Sequence, residues 1–130
     1  MRVLFVEDNE VNRRVVREML RAGAIDMFEA ADGAIGLQMI ADHDYDLILM
    51  DLRMPGMDGM TAIRHLRARG DDKAALPVIV VTADAGSSIE ADCMAAGADG
   101  VLLKPVSMGA LFDAIGKVLA SRNGGDIMVA

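Results

Sequence analysis

Asp46-Leu47-Ile48-Leu49-Met50-Asp51-Leu52-Arg53-Met54-Pro55-Gly56-Met57-Asp58-Gly59 is the stretch that decides how this chain folds. Leu47 to Met50 is apolar at every position, so neither face of the strand it predicts can meet water, as in the centre of a parallel sheet. The run ends on a carboxylate, Asp51, and a turn rich in Pro and Gly follows. An acidic side chain there stands at the mouth of a buried strand.

Three other apolar runs end on polar residues in the same way. Val3-Leu4-Phe5-Val6 leads to Glu7 and Asp8, Val78-Ile79-Val80-Val81 leads to Thr82, and Val101-Leu102-Leu103 leads to Lys104. If these strands are parallel neighbours, three carboxylates, one hydroxyl and one ammonium converge on one rim of one sheet.

Between the runs the periodicity changes from strand-like to helical, five times over. A first strand over 2–6 is followed by a helix opening near Asn9, with Val11, Val15, Val16, Met19 and Leu20 on one side and a stop at Gly23. Residues 24–30 read as a second strand, and the mixed polarity of Ile25, Asp26, Met27 and Glu29 suits a sheet edge. A helix from Asp32-Gly33 to about Asp42 carries Leu37 and Ile40. After the third strand, Asp58 can cap a helix bearing Ile63 and Leu66, which Gly70-Asp71-Asp72 breaks. The fourth strand precedes a helix starting at Ser87 or Ser88, where Ser87 and Glu90 have capping-box spacing, and stopping at Gly97. The fifth strand is 100–103, and a last helix from Ser107 carries Leu111, Phe112, Ile115 and Leu119.

This alternation predicts an α/β fold, a (βα)5 doubly wound five-stranded parallel sheet with helices on both faces. Right-handed crossovers leave few windings. The order 2-1-3-4-5 is the economical one, and it places the ligand site beyond strands 1 and 3, where Glu7, Asp8 and Asp51 fall. Residues 1–121 form the domain. Residues 122–130, opened by Asn123-Gly124-Gly125, lack a helical period and read as a flexible tail.

Composition removes several function classes. A chain of 130 residues, 53% hydrophobic, supports one buried core and argues against disorder. No apolar stretch approaches the roughly 20 residues of a membrane helix, and no signal-peptide pattern opens the chain. A net charge of −7 disfavours nucleic acid, which needs clustered cations. Arg13, Arg14, Arg17 and Arg21 lie on a helical pattern and read as a solvated face. Cys93, the one cysteine, excludes an internal disulfide and fits a reducing cytoplasm. His43 and His65 sit in polar segments, and no Ser-His-Asp arrangement can be built on them.

Charge then points to chemistry. Three neighbouring carboxylates repel one another, and Lys104 supplies one compensating charge. A divalent metal completes the balance. Few, all-oxygen donors favour Mg2+, which keeps several waters and takes phosphate oxygens, over calcium with its six to eight ligands. Asp51 can act as a carboxylate nucleophile toward phosphorus. Lys104 and the Thr82 hydroxyl can then neutralise and hold phosphoryl oxygens. Taken singly, each residue has a plainer reading: Asp8 and Asn9 as helix caps, Thr82 as a strand end, Lys104-Pro105 as a common dipeptide. Four strand ends with compatible chemistry are what those single readings leave unexplained.

On these residues the chain resembles the receiver domains of bacterial two-component response regulators, of stand-alone type and flavodoxin-like winding. Val6-Glu7-Asp8-Asn9, Met50 to Gly59, Val81-Thr82-Ala83 and Leu103-Lys104-Pro105 match in order and spacing, over about residues 2 to 120. The resemblance implies that Asp51 accepts a phosphoryl group from a sensor histidine kinase or a histidine phosphotransfer protein. It implies that Asp8, Asp51 and the backbone carbonyl of Arg53 hold Mg2+, with Glu7 assisting through water, and that Lys104-Pro105 is cis. Output is expected through a downstream protein target or onward phosphotransfer, around the fourth helix, fifth strand and fifth helix. In such domains a Thr moves toward the phosphate and an aromatic residue three before the Lys turns inward. Here that aromatic position is Val101, so Thr82 and the loop of Ala83 and Asp84, with Pro105 nearby, must carry more of the switch. Arg53 and Asp84 are expected to flank the site and pair across it, restricting attacking water.

Three competing readings are separable. An aspartyl-phosphate phosphatase would want a second Asp two residues after the nucleophile, where Arg53 stands. A flavin-binding module would want a phosphate loop after the first strand, where Glu7-Asp8-Asn9-Glu10 repels phosphate. An interaction domain of the same fold that no longer uses phosphate would have no need of every acceptor-site residue.

Overall fold

Each apolar run forms a strand. They are β1 (Arg2–Val6), β2 (Asp26–Ala30), β3 (Leu47–Asp51), β4 (Val78–Thr82) and β5 (Gly100–Leu103), all parallel in the order β2-β1-β3-β4-β5. This is the expected (βα)5 winding. The computed structural model describes the backbone of residues 1–129 and the side chains of residues 1–122. The helices are α1 (Glu10–Ala22), α2 (Gly33–Asp42), α3 (Gly59–Arg67), α4 (Ile89–Ala96) and α5 (Met108–Val129), with a 3₁₀ turn at Asp72–Ala75. The tail expected at 122–130 falls, apart from Arg122, on side chains outside the described residues, while the backbone of α5 runs to Val129.

Alternation along the strands sorts the core into two layers. Val3, Phe5, Leu47, Leu49, Ile79 and Val81 pack against α1 and α5, through Val16, Leu20, Leu111 and Ile115. Leu4, Val6, Ile48, Met50, Val78 and Val80 face α2, α3 and α4, through Ile40, Ile63, Leu66 and Cys93. The mixed strand β2 lies at the sheet edge, as its polarity predicts.

Asn9, Asp32 and Asp58 cap α1, α2 and α3, each accepting a backbone N–H three residues on at 2.8–3.0 Å. Such a cap contributes about 1 kcal/mol. The fourth helix departs from expectation, because Ser88 occupies the cap position with no side-chain cap bond and the Ser87–Glu90 capping box does not form. The second strand also starts two residues late. Gly23 ends α1 at φ −97°, and Ala24 takes the left-handed conformation at φ 58°. The close neighbour of Gly23 is a side chain instead: a Cβ there would meet the edge of the Phe112 ring at 2.5 Å, so that ring would have to shift.

Two of the four arginines read as a solvated face are partly buried in ion pairs. Nε of Arg13 and Nη2 of Arg17 both bond Oε1 of Glu29 on β2, at 3.0 and 2.5 Å. Arg14 and Arg21 keep exposed positions. Edge-strand acids are invisible to helical periodicity, which is why the pairing escapes a reading of the helix alone.

Candidate functional site

Register assembles the site. Val6 pairs with Met50, so Glu7 comes level with Asp51 across the β1–β3 boundary. Asp51 pairs with Val81, placing Thr82 one step beyond it, and Thr82 pairs with Leu103, placing Lys104 one step further. Glu7, Asp51 and Thr82 are buried, at 1%, 5% and 1% exposure. Asp8 is exposed at the mouth. One carboxylate oxygen from each of Glu7, Asp8 and Asp51 lies within 4.8 Å of the other two.

Lys104 reaches into this cluster. Its Nζ donates to Glu7 Oε1 at 2.7 Å and to Asp51 Oδ1 at 3.2 Å. The same Glu7 oxygen accepts from Nδ2 of Asn12 at 2.9 Å, and Nη1 of Arg13 donates to the Glu7 backbone carbonyl at 2.7 Å. Glu7 is therefore gripped at both ends by the first turn of α1. Neither contact was legible in the sequence, where Asn12 is one polar residue inside an amphipathic helix.

The turn after Asp51 is held by close approach of α3. Gly59 N–H donates to the Leu52 carbonyl at 2.9 Å. A Cβ on Gly59 would collide with the backbone oxygen of Asp51. Only glycine lets the helix start so near the end of the strand.

Protonation follows from these contacts. Burial, then the hydrogen bond and charge of Glu7, push the Asp51 carboxyl up to about 7, with Lys104 offsetting only part. Burial also pushes Glu7 upward, but hydrogen bonds from Asp51, Lys104 and Asn12 outweigh it and hold Glu7 below its usual range. Burial would depress Lys104, yet Glu7 and Asp51 raise it. Glu7 and Lys104 thus form the ion pair, and Asp51 takes the proton that three crowded carboxylates cannot all release. A divalent cation fits this donor set: it would bring the missing positive charge to an all-oxygen cluster open at Asp8.

The remaining predicted residues lie around the opening. Nη2 of Arg53 donates to Asp84 Oδ2 at 2.8 Å, joining the loop after β3 to the loop after β4, so the expected pair is present. Thr82 Oγ1 accepts from the Asp84 N–H at 3.1 Å. Ala83 and Pro105 are exposed, and the Lys104-Pro105 peptide is cis as expected. Val101 packs partly buried against the core beneath α4. His43 and His65 are exposed and far from a catalytic arrangement, and Cys93 is buried in the core.

Comparison with known proteins agrees with this geometry. The family model described as the response regulator receiver domain matches residues 3–116. The chain is 34% identical over 126 residues to the chemotaxis protein CheY of Pseudomonas aeruginosa, covering 95% of this chain and all of that one. It is 41% identical over 112 residues to the two-component response regulator ORR41 of rice (Oryza sativa subsp. japonica), covering 82% and 85%. Among solved structures, the receiver domain of sensor histidine kinase PA1611 from P. aeruginosa superposes with a TM-score of 0.83 at 34% identity, covering 92% and 97%. That structure has a magnesium ion coordinated in its active site cleft.

Proposed function

The chain belongs to the response regulator receiver family, and we propose that it accepts a phosphoryl group on Asp51 and signals the change to a partner protein. The observation that carries this reading is the buried Asp51 carboxyl with Glu7, Asp8 and Lys104 gathered around it. Glu7, Asp8, Asp51 and the Arg53 carbonyl are the groups assigned to Mg2+. When bound, the ion supplies charge neutralisation between Asp51 and the incoming phosphoryl oxygens. Deprotonated Asp51 then attacks phosphorus. Its oxygen–phosphorus bond forms as the donor's nitrogen–phosphorus bond breaks, and the histidine imidazole departs. Lys104 and Thr82 hold the transferred oxygens through charge-assisted hydrogen bonds.

A sensor histidine kinase is the donor class, directly or through a histidine phosphotransfer protein. The surface beside the site supports a protein donor. A groove of about 410 Å³ runs between α1 and the loop after β5, lined by Phe5, Val15, Val16, Val81 and Pro105, with Lys104 in its wall. Val11 and Val15 stand 62% and 46% exposed on the same helix. A protein donor that brings its histidine to Asp51 would find these apolar groups beside the opening.

Switching follows from stabilising one of two existing conformations. Moving a pair of states from about 1:9 to 9:1 needs roughly 2.6 kcal/mol of differential binding, which two charge-assisted bonds to Thr82 and Lys104 can supply. Thr82 Oγ1 now receives the Asp84 N–H, so its turn toward a phosphoryl group would release the loop that carries the Arg53 partner.

The decisive experiment is incubation with Mg2+ and acetyl phosphate followed by intact mass. A gain of one phosphoryl group, lost with chelator and in Asp51→Asn, is the expected result. Undiminished labelling of Asp51→Asn would assign the acceptor elsewhere. No helix among the described residues is long and apolar enough to cross a membrane.

A further inference from the structure

We propose that Asn12 is a positioning residue that keeps the buried Glu7 carboxylate in place when Lys104 turns away from it toward the phosphoryl group. The inference rests on the reading of Asp51 as phosphoryl acceptor and adds a residue to its working parts.

The geometry carries it. Glu7 Oε1 has two donors, Lys104 Nζ at 2.7 Å and Asn12 Nδ2 at 2.9 Å. Lys104 is already shared with Asp51 at 3.2 Å, so a phosphoryl group on Asp51 draws the ammonium off Glu7. Glu7 is 1% exposed, and water cannot take the vacated place cheaply. A buried carboxylate that loses a charged partner is destabilised, and the Mg2+ assigned to this site is shared with Asp8 and Asp51. Asn12 remains on the same oxygen, and its own position does not depend on Lys104. Its N–H is fixed by the Asn9 cap at 3.0 Å, and the Glu7 backbone is pinned separately by Arg13. The amide is also suited by what it lacks. A cation at position 12 would satisfy Glu7 equally but would oppose a divalent ion in the same pocket, whereas an amide donates without adding charge.

Asn12 therefore matters more in the phosphorylated state than in the unmodified one, which separates this role from plain support of the fold. The test uses the full chain in Mg2+ with beryllium fluoride as phosphoryl mimic, comparing wild type with Asn12→Ala and Asn12→Leu. Calorimetry gives the mimic's affinity, a separate titration gives the affinity for Mg2+ alone, and melting curves report folding. Loss of one hydrogen bond to a charged group should weaken mimic binding about tenfold while Mg2+ affinity alone changes less than about twofold. Asn12→Leu, which keeps the branched shape without the amide, serves if Asn12→Ala does not fold, and Asn12→Gln, which keeps the amide donors, should recover part of the loss. Unchanged mimic affinity in the variants overturns the proposal. So does an equal loss of Mg2+ affinity, because Asn12 would then shape the acid cluster in every state. Failure of the wild type to bind the mimic would count against the phosphoryl-acceptor reading itself and take this inference with it.

Discussion

Lys104 sits closer to Glu7 than to Asp51, its Nζ lying 2.7 Å from Glu7 Oε1 and 3.2 Å from Asp51 Oδ1. The ammonium thus rests on the carboxylate that does not react, leaving Asp51 as the less compensated acid. Replacing that arrangement by a metal and a phosphoryl group moves charge within a small buried volume, so the site should respond strongly to pH.

In the metal-free protein the Asp51 carboxyl titrates at about 7, against 3.8 for the free side chain. Between those values the folded chain holds more protons than the unfolded one. The contribution of this group to stability therefore falls as pH rises through that window and is level above it. Glu7, shifted downward, acts at the acid end: its contribution is present above its ordinary 4.5 and lost as pH falls through the lowered value. The melting temperature of the metal-free protein should decline from about pH 5 to about pH 7, and saturating Mg2+ or Asp51→Asn should abolish the decline. Lys104→Met, which removes a charge that holds Asp51 down, should carry the decline to higher pH. A flat profile in the metal-free wild type would contradict the shared-proton account.

Gly59→Ala should damage both fold and site. The new methyl has the Asp51 backbone oxygen and the Leu52 Cα in its way, and neither is a flexible side-chain tip. Overpacking against fixed backbone costs about 1–3 kcal/mol. Urea denaturation should show that loss, and labelling by acetyl phosphate should slow because the acceptor strand end is displaced. A variant as stable and as reactive as wild type would show that α3 can retreat freely.

Arg53→Ala should shorten the lifetime of the acyl phosphate several-fold without unfolding the protein. The Arg53 side chain is 81% exposed and its pair with Asp84 is a surface one, worth less than about 1 kcal/mol to stability. The pair joins the loops after β3 and β4, and the role expected of it is to restrict attacking water. Timed loss of the phosphoryl mass after removal of the donor measures this, and an unchanged rate rejects the gating role of the pair.

Ala24→Gly should stabilise the chain by about 1 kcal/mol, because an L residue at φ 58° carries a penalty that glycine avoids. Gly23→Ala, one residue earlier, should destabilise it through the Phe112 ring. Chemical denaturation of the two variants should therefore move in opposite directions.

At Gly23 and Ala24 the local sequence does not decide the backbone conformation. A glycine after an amphipathic helix is the usual mark of a left-handed stop, yet here the left-handed residue is its neighbour. The glycine answers to a ring on α5, which is 89 positions further along the chain (112 − 23). The Arg13 and Arg17 pairing with Glu29 and the Asn12 bond to Glu7 likewise leave no mark in the local sequence. Each joins elements whose mutual distance is set by how a helix packs on a sheet.

The sequence by itself determined the sheet and its rim. The runs of β1, β3 and β4, apolar on both faces, lie at the centre and the mixed run of β2 at one edge, while the short apolar β5 closes the other edge; the polar residue that ends an apolar run comes to the same end of a parallel sheet. Tertiary structure alone decided which oxygen each donor reaches. Lys104 and Glu7 lie 97 residues apart, and whether the ammonium settles on Glu7 or Asp51 depends on sub-ångström differences that strand register and the packing of α1 impose. Hydrophobic periodicity records which face is buried, a property of each element alone, whereas charge pairing depends on distances between elements that no single segment encodes.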